Sequence, residues 1–223
     1  MLKVSRVNKK IQRKNVLKDI NFSLNNGDIL GIVGPNGAGK STLISILATI
    51  LKPTKGNVSY YINGNLYDGN IKDIIGYVPQ EIAFYEELTI KDNFMLFGAS
   101  ISNDRSIILN RARKAAENLG LLDEFNTRAS KLSGGQKRRV NIGIGLLRDP
   151  QFIFMDEPVV GVDYMARKDV ENIISEMSNQ GNIIVLTSHL IEFIEKICNK
   201  LLIIKNGKQE YFGDFNEEIK SKI

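Results

Sequence analysis

The sequence predicts an α/β fold with a mainly parallel sheet, an antiparallel β subdomain and a helical insert. Three observations carry that expectation. Short apolar runs rich in β-branched residues, such as Ile29-Leu30-Gly31-Ile32-Val33 and Ile183-Ile184-Val185-Leu186, read as strands buried on both faces. Segments with apolar residues at helical spacing alternate with these runs, which implies parallel pairing through crossovers. Turn signals near both termini, Asn26-Gly27 and Asn206-Gly207, mark antiparallel portions.

Residues 1–28 read as β, because Ile20, Phe22 and Leu24 alternate with Asn21 and Ser23. After the strand 29–33, Leu43, Ile44, Ile46, Leu47, Ile50 and Leu51 recur at helical spacing. Pro53 and Gly56 break the chain, Val58–Ile62 reads as a strand closed by Asn63-Gly64, and Ile74–Val78 as another stopped by Pro79. Character changes near residue 86. Thr89 and Asp92 form a helix start, and a second helix runs from near Asp104 to Leu119 with Gly120 at its C-terminal end. Residues 86–133 are therefore expected as a helical subdomain inserted in a core of 1–85 and 134–223, one domain of 223 residues.

Ser133 caps a third helix carrying Val140, Ile142, Ile144, Leu146 and Leu147, which must end before Pro150. Phe152–Met155 is a strand ending in Asp156-Glu157. Val170, Ile173, Ile174 and Met177 line the next helix, which Gly181 ends. The strand 183–186 delivers His189, and a hairpin of Leu201–Ile204 and Gln209–Phe212 follows.

The net charge of +5 decides no function by itself, and the clusters Lys9–Lys14 and Lys137–Arg139 are expected to be solvated. No apolar run is long enough to span a bilayer, and Met1 leads into charged sequence, unlike a signal peptide. The single Cys198 excludes an internal disulfide and shares a helical face with Leu190, Phe193, Ile194 and Ile197, so it is read as a small core residue.

The chemistry starts at Gly34-Pro35-Asn36-Gly37-Ala38-Gly39-Lys40-Ser41-Thr42, which fits G-x-x-x-x-G-K-[ST] between a strand and a helix. The glycines let the backbone turn so that N–H groups face phosphate oxygens, and the following helix adds its positive end. Lys40 supplies a charge for the β- and γ-phosphates, and Ser41 a hydroxyl for Mg²⁺. This makes the core a P-loop NTPase core. Asp156 stands where such enzymes hold Mg²⁺, and Glu157 where a residue could orient or deprotonate water. Alone, the acidic pair also fits an ordinary turn.

Leu132-Ser133-Gly134-Gly135-Gln136, ending 20 residues before Asp156, removes that ambiguity. At this pentapeptide the chain resembles the nucleotide-binding subunit of ATP-binding cassette (ABC) transporters, and the resemblance spans essentially its whole length. Gln80 matches the family's Q-loop, which senses Mg²⁺ and couples to the permease. Gly161-Val162-Asp163 matches the D-loop, and His189, the only histidine, the switch residue that contacts the γ-phosphate.

The resemblance implies ATP and Mg²⁺ as cofactors and head-to-tail pairing with a second cassette, identical or not. Lys40, Ser41, Gln80, Asp156, Glu157 and His189 would act in cis, and Ser133, Gly135, Gln136 and Asp163 in trans. It also implies an integral-membrane permease as partner, no specific nucleic acid, and a cytoplasmic place on the inner face of the membrane. The segment Gly76–Glu81 with Leu88-Thr89-Ile90 and Asn93–Gly98 looks like the multidrug, bacteriocin and polysaccharide exporters. Importer subunits, and soluble cassette ATPases acting on nucleic acid or ribosomes, are the alternatives. Phe84, Tyr85, Phe94 and Phe97 are expected to divide between a permease-facing surface and the insert's own core, with Phe84 and Tyr85 the first candidates to face the permease. Two departures stand out. Ile11 occupies the position where the family stacks an aromatic ring on adenine, and Val159-Val160 and Val162 replace the usual residues beside the D-loop.

Overall fold

The computed structural model describes residues 1–220, so positions 221–223 of the expected domain lie outside the described residues. The strands are β1 (Leu2–Ile11), β2 (Lys14–Leu24), β3 (Ile29–Val33), β4 (Lys55–Ile62), β5 (Asn65–Leu66), β6 (Ile75–Val78), β7 (Phe152–Met155), β8 (Ile183–Thr187), β9 (Lys200–Lys205) and β10 (Lys208–Asp214). The helices are α1 (Lys40–Leu47), α2 (Ile90–Gly98), α3 (Arg105–Asn118), α4 (Gly134–Leu146), α5 (Tyr164–Asn179), α6 (Ile191–Ile197) and α7 (Glu217–Lys220).

The strands join in the order β5-β4-β1-β2-β10-β9-β3-β8-β7-β6. Strands β9, β3, β8, β7 and β6 run parallel, and β1, β2, β4 and β5 pair antiparallel. The C-terminal hairpin was expected to lie wholly in the antiparallel portion. Instead β9 pairs in parallel with β3, Gly31 opposite Leu201, and only β10 turns back against it. A hairpin dictates how its own two strands run, but the outer neighbour of β9 is chosen by burial of Leu201 and Leu202 against opposite faces of the core.

Alternation along the parallel strands explains two core layers. Ile153, Met155, Ile184 and Leu186 face α2–α6, whereas Phe152, Phe154, Ile183 and Val185 face α1 and the antiparallel strands. Helix α1 is shorter than its apolar periodicity predicts. It ends at Leu47, Thr49 adopts φ 59°, and Ile50 is exposed, so Ile50 and Leu51 lie beyond the helix. The Tyr60 hydroxyl donates to the Leu47 carbonyl and fixes that end.

Thr89 and Asp104 cap α2 and α3 through their side chains, as the sequence signals require. Phe94 is fully buried, Phe97 packs on the same core, Phe84 is half-buried against it, and Tyr85 is exposed. Cys198 caps the C-terminal end of α6 and is buried, whereas Leu190 is 37 % exposed and does not share its face.

Candidate active site

Pairing in register brings the ends of four parallel strands to one edge: Ile32 lies opposite Thr187, Leu186 opposite Met155, and Met155 opposite Val78. The four following loops are Gly34–Gly39, Ser188-His189, Asp156-Glu157 and Pro79-Gln80. Parallel pairing therefore assembles four sequence-distant motifs at the edge where ligands of open α/β sheets bind.

Gly34, Gly37 and Gly39 have φ of 149°, 77° and 108°. A Cβ on Gly39 would lie 2.7 Å from Leu17 and 2.9 Å from the Val16 carbonyl, so the β1–β2 hairpin packs directly on the loop. Pro35, Asn36 and Gly37 are exposed at its crest, Ala38 is buried beneath, and Thr42 follows Ser41 in the first turn of α1. Lys40 is 7 % exposed and its Nζ donates to the carbonyls of Gly34 (2.8 Å) and Pro35 (3.3 Å). Burial lowers its ammonium from the usual lysine range, and the charges of Glu157 and Asp156 oppose that shift. Ile11 ends β1 at 41 % exposure, on the hairpin whose Val16 and Leu17 touch the loop.

Asp156 and Glu157 are 6 % and 5 % exposed. The Ser41 hydroxyl donates to Asp156 Oδ1 at 3.2 Å, and Thr187 Oγ1 donates to the same oxygen at 2.6 Å. Thr187 Oγ1 also accepts from the Glu157 N–H at 2.9 Å. Glu157 adopts φ 49°, a conformation unusual outside glycine, which aims its side chain along the strand ends. Its Oε2 accepts from the His189 backbone N–H at 3.3 Å. Its Oε1 is buried without a hydrogen bond, with His189 Nε2 3.2 Å away but outside hydrogen-bonding geometry. A buried carboxylate oxygen left without a donor is suited to receive one from a reactant.

Among the described residues no group of three or more His, Cys, Asp or Glu is placed to hold a metal. The Ser41–Asp156 pair fits Mg²⁺ nonetheless, since phosphate-loop enzymes hold it through one or two side chains plus substrate phosphates. The side chain of Gln80 is exposed and makes no hydrogen bond to Ser41, Asp156 or Glu157.

The signature residues serve their own helix. Ser133 and Gln136 form a reciprocal capping box, and Gln136 Nε2 also donates to Glu124 at 2.9 Å. Gly135 is buried, and a Cβ there would lie 2.5 Å from that of Ala166. Only Gly134 of the pair is open. Asp163 caps α5 by accepting from Ala166 N–H at 2.9 Å. No hydrogen bond or ion pair joins Ser133, Gln136 or Asp163 to the phosphate loop.

Two site residues escape sequence reasoning. Thr187 is the polar residue that ends an otherwise apolar strand, which is its only signal. Arg138 lies in a cluster expected to be solvated, yet it is 2 % exposed. Its Nε donates to the Pro158 carbonyl (2.6 Å), Nη1 to those of Gln80 (2.7 Å) and Pro79 (3.3 Å), and Nη2 to that of Asp156 (3.4 Å) and to that of Glu157. Burial pushes its guanidinium down to about 10, with Glu157 and Asp156 opposing, so it stays protonated at neutral pH. Its neighbours Lys137 and Arg139 pair with Glu86 (2.7 Å) and Asp169 (3.3 Å).

A family model described as ABC transporter matches residues 17–160. The chain belongs to the ABC transporter family. The cassette is 35 % identical over 215 residues to the linearmycin resistance ATP-binding protein LnrL of Bacillus subtilis (strain 168), covering 96 % of this chain and 69 % of that one. It is 38 % identical over 208 residues to the energy-coupling factor transporter ATP-binding protein EcfA2 of Caldanaerobacter subterraneus subsp. tengcongensis, covering 88 % and 71 %. A solved dimeric cassette, MJ0796 in a post-hydrolysis state bound to ADP and Pi, superposes with TM-score 0.82 at 26 % identity, covering 97 % of this chain and 99 % of that one. The cassette is thus an ABC ATPase subunit of a transporter with the corresponding α/β fold, and its family implies ATP binding and hydrolysis. Among the described residues no helix is long and apolar enough to cross a membrane.

Proposed function

We propose that this cassette hydrolyses ATP at a site closed by a second cassette and thereby drives a membrane permease, in the direction of export. The single observation that supports the chemistry is Glu157: buried, set at φ 49° beside Asp156, with Oε1 making no hydrogen bond. In this reading Lys40 and the loop N–H groups hold the β- and γ-phosphates, and Ser41 and Asp156 hold Mg²⁺, which supplies charge neutralisation at the phosphates. Glu157 takes the proton of the attacking water, His189 contacts the γ-phosphate, and Gln80 reports on the metal and the permease. Residues 86–133 serve as the helical subdomain that presents the signature.

A second cassette is supported by Ser133, Gln136 and Asp163, which make no hydrogen bond or ion pair to their own phosphate loop, while Gly134 is open. With Gly135 and its helix N-terminus, they form a lid for another molecule's γ-phosphate. Hydrolysis then removes the group that joins the two halves, which turns chemistry into motion. That the solved MJ0796 cassette is dimeric in a post-hydrolysis state supports such pairing. Export is favoured by the names of two relatives, the linearmycin resistance protein and the Nod factor export protein of Bradyrhizobium diazoefficiens, 30 % identical over 204 residues. Import remains the second reading, favoured by the similarity to EcfA2. No observation favours a nucleic-acid partner. In this reading the cassette sits on the inner face of the membrane and meets the permease through exposed Tyr85 and Ile82, with Phe84 beside them.

Glu157→Gln tests the chemistry. It is expected to preserve ATP binding and lower turnover by about 10²–10⁴. Near-normal phosphate release from the variant would remove Glu157 from its role. The identity of the co-purifying permease tests the direction.

A further inference from the structure

We propose that Arg138 is a positioning residue which ties the catalytic turn Asp156-Glu157-Pro158 to the loop after β6, so that the aim of Glu157 follows the position of that loop. The inference rests on the reading of Glu157 as the group that accepts the proton of water.

Arg138 lies two residues after Gln136 on the first turns of α4, and is 2 % exposed. Every donor-bearing nitrogen of its guanidinium meets main-chain carbonyls, and no side-chain acceptor is used. On one side these are Asp156, Glu157 and Pro158, and on the other Pro79 and Gln80. One planar cation therefore bridges the ends of β7 and β6. A rigid fork of five N–H donors can satisfy that arrangement, whereas a lysine ammonium has three donors and no plane.

The Glu157 peptide is held from both sides. Its N–H donates to Thr187 on β8, and its carbonyl accepts from Arg138 on α4. A non-glycine residue at φ 49° persists only where its surroundings over-determine it. Arg138 is the member of that clamp that also touches the loop after β6.

One turn further along α4, Asn141 continues the hold. Its Nδ2 donates to the carbonyls of Pro79 (3.1 Å) and Glu81 (3.3 Å), and its Oδ1 accepts from the Ala83 N–H (3.1 Å). The loop is thus fastened to α4 by two buried polar side chains, while it exposes Ile82 and Tyr85 on the outside. A partner that shifts this outer face moves the carbonyls of Pro79 and Gln80, and through Arg138 the carbonyl of Glu157. The same helix begins with the signature, so motion of Ser133–Gln136 reaches Glu157 by the same side chain.

The test uses the full chain as Arg138→Lys, Glu157→Gln and the double variant, with MgATP affinity measured by a fluorescent nucleotide and turnover by phosphate release. Arg138→Lys is expected to keep nucleotide affinity within about threefold and to lower turnover by about 10–100-fold, the usual effect of a small displacement of a reacting group. Because Arg138 acts through the Glu157 carboxylate, the double variant is expected to be no slower than Glu157→Gln alone. A merely structural role predicts the opposite, a further loss of the full Arg138→Lys factor. Full turnover by Arg138→Lys, or that additive loss, overturns the proposal. Glu157→Gln at the wild-type rate instead overturns the reading of Glu157. Arg138→Gln, which keeps a planar donor and is shorter, gives the same comparison should the lysine variant not fold.

Discussion

Replacing Thr187 by Val removes one hydroxyl from the centre of the site while keeping the shape of the side chain. Thr187 is fully buried, accepts from the Glu157 N–H at 2.9 Å and donates to Asp156 Oδ1 at 2.6 Å. The variant orphans a buried backbone donor, at about 1–3 kcal/mol, and deletes a bond to a charged acceptor, at about 1.5–3 kcal/mol. Asp156 keeps the weaker Ser41 contact at 3.2 Å, so the combined loss is placed at about 3–5 kcal/mol. At about 2–4 °C per kcal/mol for a chain of this size, Tm falls by about 6–20 °C. Turnover falls by about 10–100-fold, because the Glu157 peptide loses one of its two restraints. Thermal unfolding followed by circular dichroism, with phosphate release measured well below the transition, reads both effects. Thr187→Ser keeps the hydroxyl and is expected to recover most of each. A Val variant that melts within about 1 °C of wild type and turns over at full rate refutes the reasoning.

Gly135→Ala is expected to destabilise by about 1–3 kcal/mol, because its Cβ would sit 2.5 Å from that of Ala166, whereas Gly134→Ala meets nothing within 4 Å and should unfold in urea like wild type. With Ile11 in place of an aromatic, ATP and GTP should compete for a fluorescent nucleotide within about tenfold of each other, and Ile11→Tyr should tighten both by about tenfold or more. Cys198 is buried and its thiol is pushed well up from the ordinary range, so a thiol reagent should find no reactive group in the native protein and one per chain after denaturation.

The motifs were legible because each is a local device. The phosphate loop needs glycines, a lysine and a hydroxyl at set spacing, and Ser133 announces the start of the helix that it caps. The buried strands were equally plain, since a strand covered on both faces must be apolar throughout. Local pattern failed where a long-range partner decides. The periodicity that ran on to Ile50 and Leu51 gave no hint of the left-handed Thr49, or of Tyr60 closing α1 at Leu47. Lys137–Arg139 looked like a solvated cluster because the acceptors of Arg138 are main-chain carbonyls, which carry no mark in a sequence.

By itself the sequence determined the element types, the phosphate loop and the acidic pair at a strand end, all set by interactions over a few residues. The tertiary structure alone decided that β9 joins the parallel sheet, that Thr187 and Arg138 clamp Glu157, and that Ser133, Gln136 and Asp163 stand apart from Gly34–Thr42. Those facts depend on which strands become neighbours. Neighbours are chosen by burying both faces of the sheet at once, a property of the whole chain and of none of its segments.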